Sequence, residues 1–193
     1  FILLAIPALA FLLMSNSGGI SGARSGSPGD GGASCASCHT GGNFNASLQI
    51  TSNIPQEGYD LDTDYTIVIN TSSTSSTHGF QLTAENSSDT KIGTFTAGSG
   101  SRVINSGTAV THSTPSSSGN WSMTWRSPST DLGAVTFYSA VNAANANGST
   151  SGDQTVLANT TFASLSISEA QKIDFAMYPN PATDILNIEL PEI

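Results

Sequence analysis

From about Asn45 onward, apolar residues recur in short sets with polar residues between them. Leu48 and Ile50 make one set, Tyr65, Ile67 and Ile69 a second, and Phe80 and Leu82 a third. Ile92, Val103 and Val110 follow, then Trp121, Met123 and Trp125, then Val135 and Phe137, then Val156, then Leu165 and Ile167. A period of two marks strands with one buried face, and the Gly, Asn, Ser and Pro residues between the sets supply turns. No window carries a helical stripe. About eight or nine short strands over this span predict an all-β fold, an immunoglobulin-like antiparallel β-sandwich, with a closed barrel as the alternative.

The flanking segments break this pattern. Residues 1–14 (FILLAIPALAFLLM) are apolar and uncharged, then give way to small polar residues. This is the hydrophobic stretch of a secretion signal, read as residues 1–15 and front-truncated, and it is shorter than the ~20 residues a spanning helix needs. No stable membrane span is expected after signal removal. Residues 16–32 are nearly all Ser, Gly, Ala, Pro and Asp, a composition that reads as a flexible linker or extended N-terminal arm. The domain proper is expected over 33–167, with 168–193 as a separate terminal segment.

In that last segment, Tyr178-Pro179-Asn180-Pro181-Ala182-Thr183-Asp184 precedes Ile185-Leu186-Asn187-Ile188-Glu189-Leu190. Two prolines hold the backbone extended, and Leu186, Ile188 and Leu190 alternate as in a strand. These residues resemble the opening of the C-terminal sorting domain of the type IX secretion system of Bacteroidota, cut short here. The resemblance implies the type IX machinery as a partner and a secreted or outer-membrane cell-surface location.

Charge narrows the function classes. The 193 residues include 5 Lys+Arg against 14 Asp+Glu, a formal net charge of -9. Such a chain has no basic surface for phosphates, so nucleic acid is not an expected partner. No Ser-His-Asp pattern, P-loop or dinucleotide fingerprint appears in its required context. Asp62, Asp64 and Asp153 are not spaced as a calcium loop and read as solvated turn residues. Asn-x-Ser/Thr sequons at Asn45, Asn86 and Asn120 are expected from the Ser/Thr/Asn-rich composition.

The segments Gly79-Phe80-Gln81-Leu82-Thr83-Ala84, WSMTWRSP from Trp121, and GAVTFYSAVNAANANGSTSGD from Gly133 form a series with the upstream Gly29-Asp30 and Cys35-Ala36-Ser37-Cys38-His39-Thr40-Gly41-Gly42. Together they resemble the bacterial Reeler-like domains known as choice-of-anchor V domains, from about Gly22 to Ile167. That resemblance implies a β-sandwich on a secreted protein and speaks to fold and location more than to chemistry.

The chemistry lies in Cys35, Cys38 and His39. They are a Cys-x-x-Cys-His motif built from the chain's 2 cysteines, the pattern of c-type haem attachment: two thioethers to the porphyrin and the adjacent imidazole on the iron. Two other readings stand beside haem c: a Cys35–Cys38 disulfide, and a thiolate–imidazole metal site. If haem binds, His112 is the expected distal ligand and His78 the alternative, although His78 also reads as an exposed loop residue. Met177 falls beyond the domain, Met123 reads as core, and Phe44, Trp121 and Trp125 are candidates to shield a porphyrin or to fill the core. The expected function is extracellular electron transfer or redox sensing through one haem c, with an unidentified redox or surface partner and no enzymatic activity beyond that of a redox carrier. The alternative is a surface adhesion or binding module stapled by the two cysteines.

Overall fold

The computed structural model describes residues 18–165 and two three-residue strands, Ala176–Tyr178 and Asn187–Glu189, which pair antiparallel. The expected signal segment and most of the sorting segment lie outside the described residues, as does the side chain of Met177. The second short strand contains Ile188, where alternation predicts one.

Among residues 18–165 the strands are β1 (Thr40–Gly41), β2 (Ser47–Ser52), β3 (Asp64–Ser72), β4 (His78–Glu85), β5 (Thr94–Thr96), β6 (Ser101–Ile104), β7 (Ala109–His112), β8 (Trp121–Arg126), β9 (Val135–Ala143) and β10 (Ser151–Phe162). They form two sheets, one ordered β1-β10-β9-β4-β7-β6 and the other β2-β3-β8-β5. Every pairing is antiparallel except β1 with β10. Two separate sheets make the fold a β-sandwich rather than a barrel. No helix among the described residues is long and apolar enough to cross a membrane.

The apolar sets point between the sheets. Ile67 and Ile69 from β3, Trp121, Met123 and Trp125 from β8, Phe80 and Leu82 from β4, and Val135 and Phe137 from β9 are all buried. Each large side chain removed from water contributes about 1.5–3 kcal/mol. Trp125 is fully buried between Tyr59 and Phe137, whose rings meet it edge-on at 5.4 and 5.1 Å. Trp121 and Trp125 are therefore core, as is Met123. Three predicted strand residues differ, and Ile167 lies outside the described residues. Leu165 follows the end of β10 and is exposed. Ile92 lies outside any strand yet is buried, with its carbonyl accepting from Trp125 Nε1 at 3.2 Å. Val103 is in edge strand β6 but faces outward.

The outer face of the larger sheet is also covered. Gln81, Thr83 and Glu85 alternate with the core residues of β4 and are nevertheless buried. Their cover is the segment composition reads as a flexible linker. Residues 18–32 are instead a strap laid across the sheet. Gln81 Nε2 donates to Ile20 O at 3.1 Å and Gly22 O at 2.9 Å, and Arg102 Nη2 donates to Gly19 O at 3.0 Å. Further along, Ser27 caps a single 3₁₀ turn at Pro28–Asp30. Its Oγ donates to Glu85 Oε1 at 2.6 Å, while Gly29 N donates to Glu85 Oε2 at 3.0 Å. A Cβ on Gly29 would come within 2.5 Å of Glu85 Oε1 and of Asp89 O, so only glycine permits this approach. The strap holds by directional polar bonds, which an apolarity count does not register.

Candidate functional site

The strap ends in the Cys-x-x-Cys-His motif. Ser34 caps a 3₁₀ turn over Cys35–Ser37, and Cys35 O accepts from the backbone N–H groups of Cys38 at 3.1 Å and His39 at 2.9 Å. This one turn brings Cys35, Cys38 and His39 together. The chain is then pinned to β10, where Thr40 N donates to Thr150 O and Gly42 N donates to Asp153 O.

Between motif and sheet lies a cavity of about 490 Å³, lined by Cys35, Cys38 and His39 on one side and by Gly79, Phe80 and His112 on the other. Its size is that of sites that enclose a drug-sized molecule. Arg24 also lines it. Phe44, Trp121 and Trp125 do not; Phe80 borders it through the strand backbone that meets His112, while its ring packs in the core against Trp121.

His112 is brought here by the end of a strand ladder. β7 pairs with β4 as far as Gln81–Thr111. One residue on, the His112 ring replaces backbone as the partner of Phe80, with Nδ1 lying 3.0 Å from Phe80 N and 3.2 Å from Phe80 O. The ring occupies space above Gly79, where a Cβ would come within 2.5 Å of Cε1. Burial, outweighing the bond to Phe80 O and joined by the positive charge of Arg102, holds His112 below the usual histidine range. The ring is thus neutral at pH 7, the state in which imidazole coordinates metal.

His39 has a different neighbour. Its Nδ1 lies 2.6 Å from Oδ2 of Asp153, which is 1 % exposed. The same carboxylate accepts from Asn142 Nδ2 at 3.2 Å and from Asn145 N at 2.9 Å. Asp153 is therefore not the solvated turn acid its sequence context suggests. Asp62 and Asp64 are exposed, each paired with Arg126.

His78 is not an exposed loop residue either. It opens β4 with 4 % exposure, and both ring nitrogens are engaged: Nε2 with Ser73 Oγ at 2.6 Å and Nδ1 with Ser116 O at 3.1 Å. No nitrogen is left to ligate a metal, so His78 is a structural histidine. Burial pushes the free Cys35 thiol up to about 11, so it is a thiol rather than a thiolate at neutral pH. Among the described residues no three His, Cys, Asp or Glu side chains converge to hold an ion.

A haem c meets a fitting set of residues here. Two thiols and three imidazoles line one partly apolar cavity, and of the imidazoles His39 and His112 make their hydrogen bonds through Nδ1, leaving Nε2 for iron.

A Reeler domain model matches residues 34–147, more than half of the chain. The chain belongs to the Reeler domain family. Reeler domains are extracellular, binding-type domains rather than enzymes. The human F-spondin reeler domain is 21 % identical with a TM-score of 0.44, the alignment covering 62 % of this Reeler chain and 92 % of that one. The Reelin-N domain of F-spondin is 17 % identical with a TM-score of 0.47, covering 78 % and 100 %. AggA, the major subunit of aggregative adherence fimbriae type I from Escherichia coli, is 14 % identical with a TM-score of 0.41, covering 65 % and 99 %. No curated protein matches the chain.

Proposed function

We propose that this Reeler domain is an extracellular binding module and that the group it binds is one covalent haem c. Cys35 and Cys38 would be the thioether anchors, His39 the proximal ligand and His112 the distal one. The observation that carries this reading is convergence: a strap motif and a strand-end histidine more than seventy positions apart line one cavity. Bound there, haem would supply one-electron transfer or redox sensing outside the cell. The chain's own residues would anchor it and ligate it. Export through a signal peptide and the type IX sorting segment belongs to the same proposal, supported by the sequence at the two ends.

Intact mass and a pyridine haemochrome spectrum, on protein made in a host with cytochrome c maturation machinery, test it. A covalent haem mass with a c-type α-band is expected. His112→Ala should then convert a six-coordinate low-spin spectrum to high-spin, and an unchanged spectrum removes His112 from the site.

Family membership also favours a second reading, adhesion without a cofactor. In it Cys35 and Cys38 form a disulfide and the cavity takes another ligand. A colourless protein whose mass shows two thiols oxidised, beside a control cytochrome that matures, would establish this reading against haem.

A further inference from the structure

Of the three histidines that line the cavity, His78 is engaged at both nitrogens, and His39 and His112 differ in how their protons are held. Phe80 offers Nδ1 of His112 both a donor and an acceptor, at 3.0 and 3.2 Å, so its backbone accepts either tautomer. His39 Nδ1 also has an acceptor and a donor in reach, but the acceptor is much the nearer. Its close partner is a carboxylate, which only accepts, at 2.6 Å. Asn142 Nδ2 lies 3.0 Å from the same Nδ1. It also donates to Asp153 Oδ2, so it steadies the carboxylate once the ring proton points at Asp153. Asp153 is itself fixed on both oxygens, by Asn142 and by the backbone of Asn145.

We infer that Asp153 is a positioning residue that holds the proton on His39 Nδ1 and thereby keeps Nε2 unprotonated as the ring's ligand atom toward the cavity. The ligand's identity rests on the haem reading; the tautomer does not. A ligating imidazole whose other nitrogen donates to a carboxylate is both oriented and made more basic. A buried carboxylate here therefore does more than satisfy a neighbour. It selects which nitrogen the site presents.

The test begins with ¹⁵N NMR of the unloaded chain, at a pH high enough for the ring to be neutral. His39 is expected as the Nδ1–H form. An Nε2–H form in the wild type overturns the inference, and this result needs no variant to fold. The Asp153→Asn variant keeps shape but can donate as well as accept, so it should shift His39 toward Nε2–H. Asp153→Glu, which remains acceptor-only, should restore the Nδ1–H form. An Asp153→Asn spectrum identical to the wild type also overturns it. In haem-loaded protein, Asp153→Asn should keep the covalent mass while altering the low-spin spectrum and raising the reduction potential. An unchanged spectrum and potential count against the positioning role. Absence of haem from the wild type sinks the cofactor reading instead and leaves the tautomer result standing.

Discussion

The two faces of the larger sheet are both covered, but by opposite means. On the inner face, Phe80, Leu82, Val110, Val135, Phe137 and Val141 meet the second sheet through apolar area. On the outer face, Gln81, Thr83, Glu85 and Thr111 are equally buried, and a strap of Ser, Gly and Asp is tied to Gln81 and Glu85 through hydrogen bonds. Apolar area is cohesive without direction, so it packs the sheets and leaves little space. Polar bonds fix the strap at chosen points, and between those points a cavity can persist. The face that carries the cavity is thus the face the apolar pattern leaves unmarked.

The contrast is tested first where each face is strongest. On the inner face, Trp125→Ala should lower global stability by about 3–5 kcal/mol, read as a shift of the whole denaturant midpoint. On the outer face, Lys91 lies between two carboxylates, 2.6 Å from Asp30 and 3.1 Å from Glu85, which are 2 % and 0 % exposed. Lys91→Met leaves both without their cation. Breaking a buried pair costs about 3–5 kcal/mol, and the partial exposure of Lys91 reduces this to about 2–3. The loss should fall on the strap alone: amide exchange over 18–34 and tryptic cleavage at Arg24 should accelerate while β3 and β8 stay protected. Equal deprotection of strap and core would show that the two faces are one cooperative unit.

The inner face was legible because its signal is periodic. Trp121, Met123 and Trp125 alternate, and alternation names both the strand and its buried side. The strap was not legible, because its burial depends on partners nearly sixty positions away, such as Glu85 for Ser27. Nothing local distinguishes a serine that caps a carboxylate from one in a linker. The candidate site divides in the same way. Cys35, Cys38 and His39 are a contiguous motif, and His112 could be singled out at a strand end. Asp153 sits in a run of Asn, Ser and Gly that reads as a turn, and only the pairing of β1 with β10 carries it to His39. His78 was misread for a similar reason, since its two partners, Ser73 and Ser116, come from separate loops.

A smaller effect separates cavity from packing. Gly79 is the outer-face position of β4 that carries no side chain, and the His112 ring fills the space. Gly79→Ala would drive its Cβ into that ring and should cost about 1–2 kcal/mol as an overpacked site. The informative result is spectral. If the cavity is a haem site, the displaced His112 should give the high-spin spectrum of His112→Ala with the covalent mass intact. A folded variant with an unchanged low-spin spectrum would show that the ring's seat above Gly79 does not matter to ligation.

The smallest expected effect is on acidification, and it again divides the two faces. Burial alone would raise the Asp30 carboxyl, but bonds from Lys91 and Ser25 outweigh it and hold the group below its ordinary value of 3.8. A carboxylate whose folded value is depressed contributes stability that is complete above the unfolded value and is lost as pH falls through the folded one. The strap should therefore keep its hold down to about pH 4 and loosen below it. The inner face has no titrating group comparable to Asp30 among its packed side chains. Trypsin does not work in that range, so pepsin cleavage within 18–34 and exchange of the same amides are the readouts. Both should rise below pH 4 before the Trp125 fluorescence of the core changes. Asp30→Asn should remove the pH dependence and leave the strap loose at neutral pH. Coincident loss of strap and core signals in the wild type would mean that acid acts on the whole sandwich and that Asp30 is not its latch.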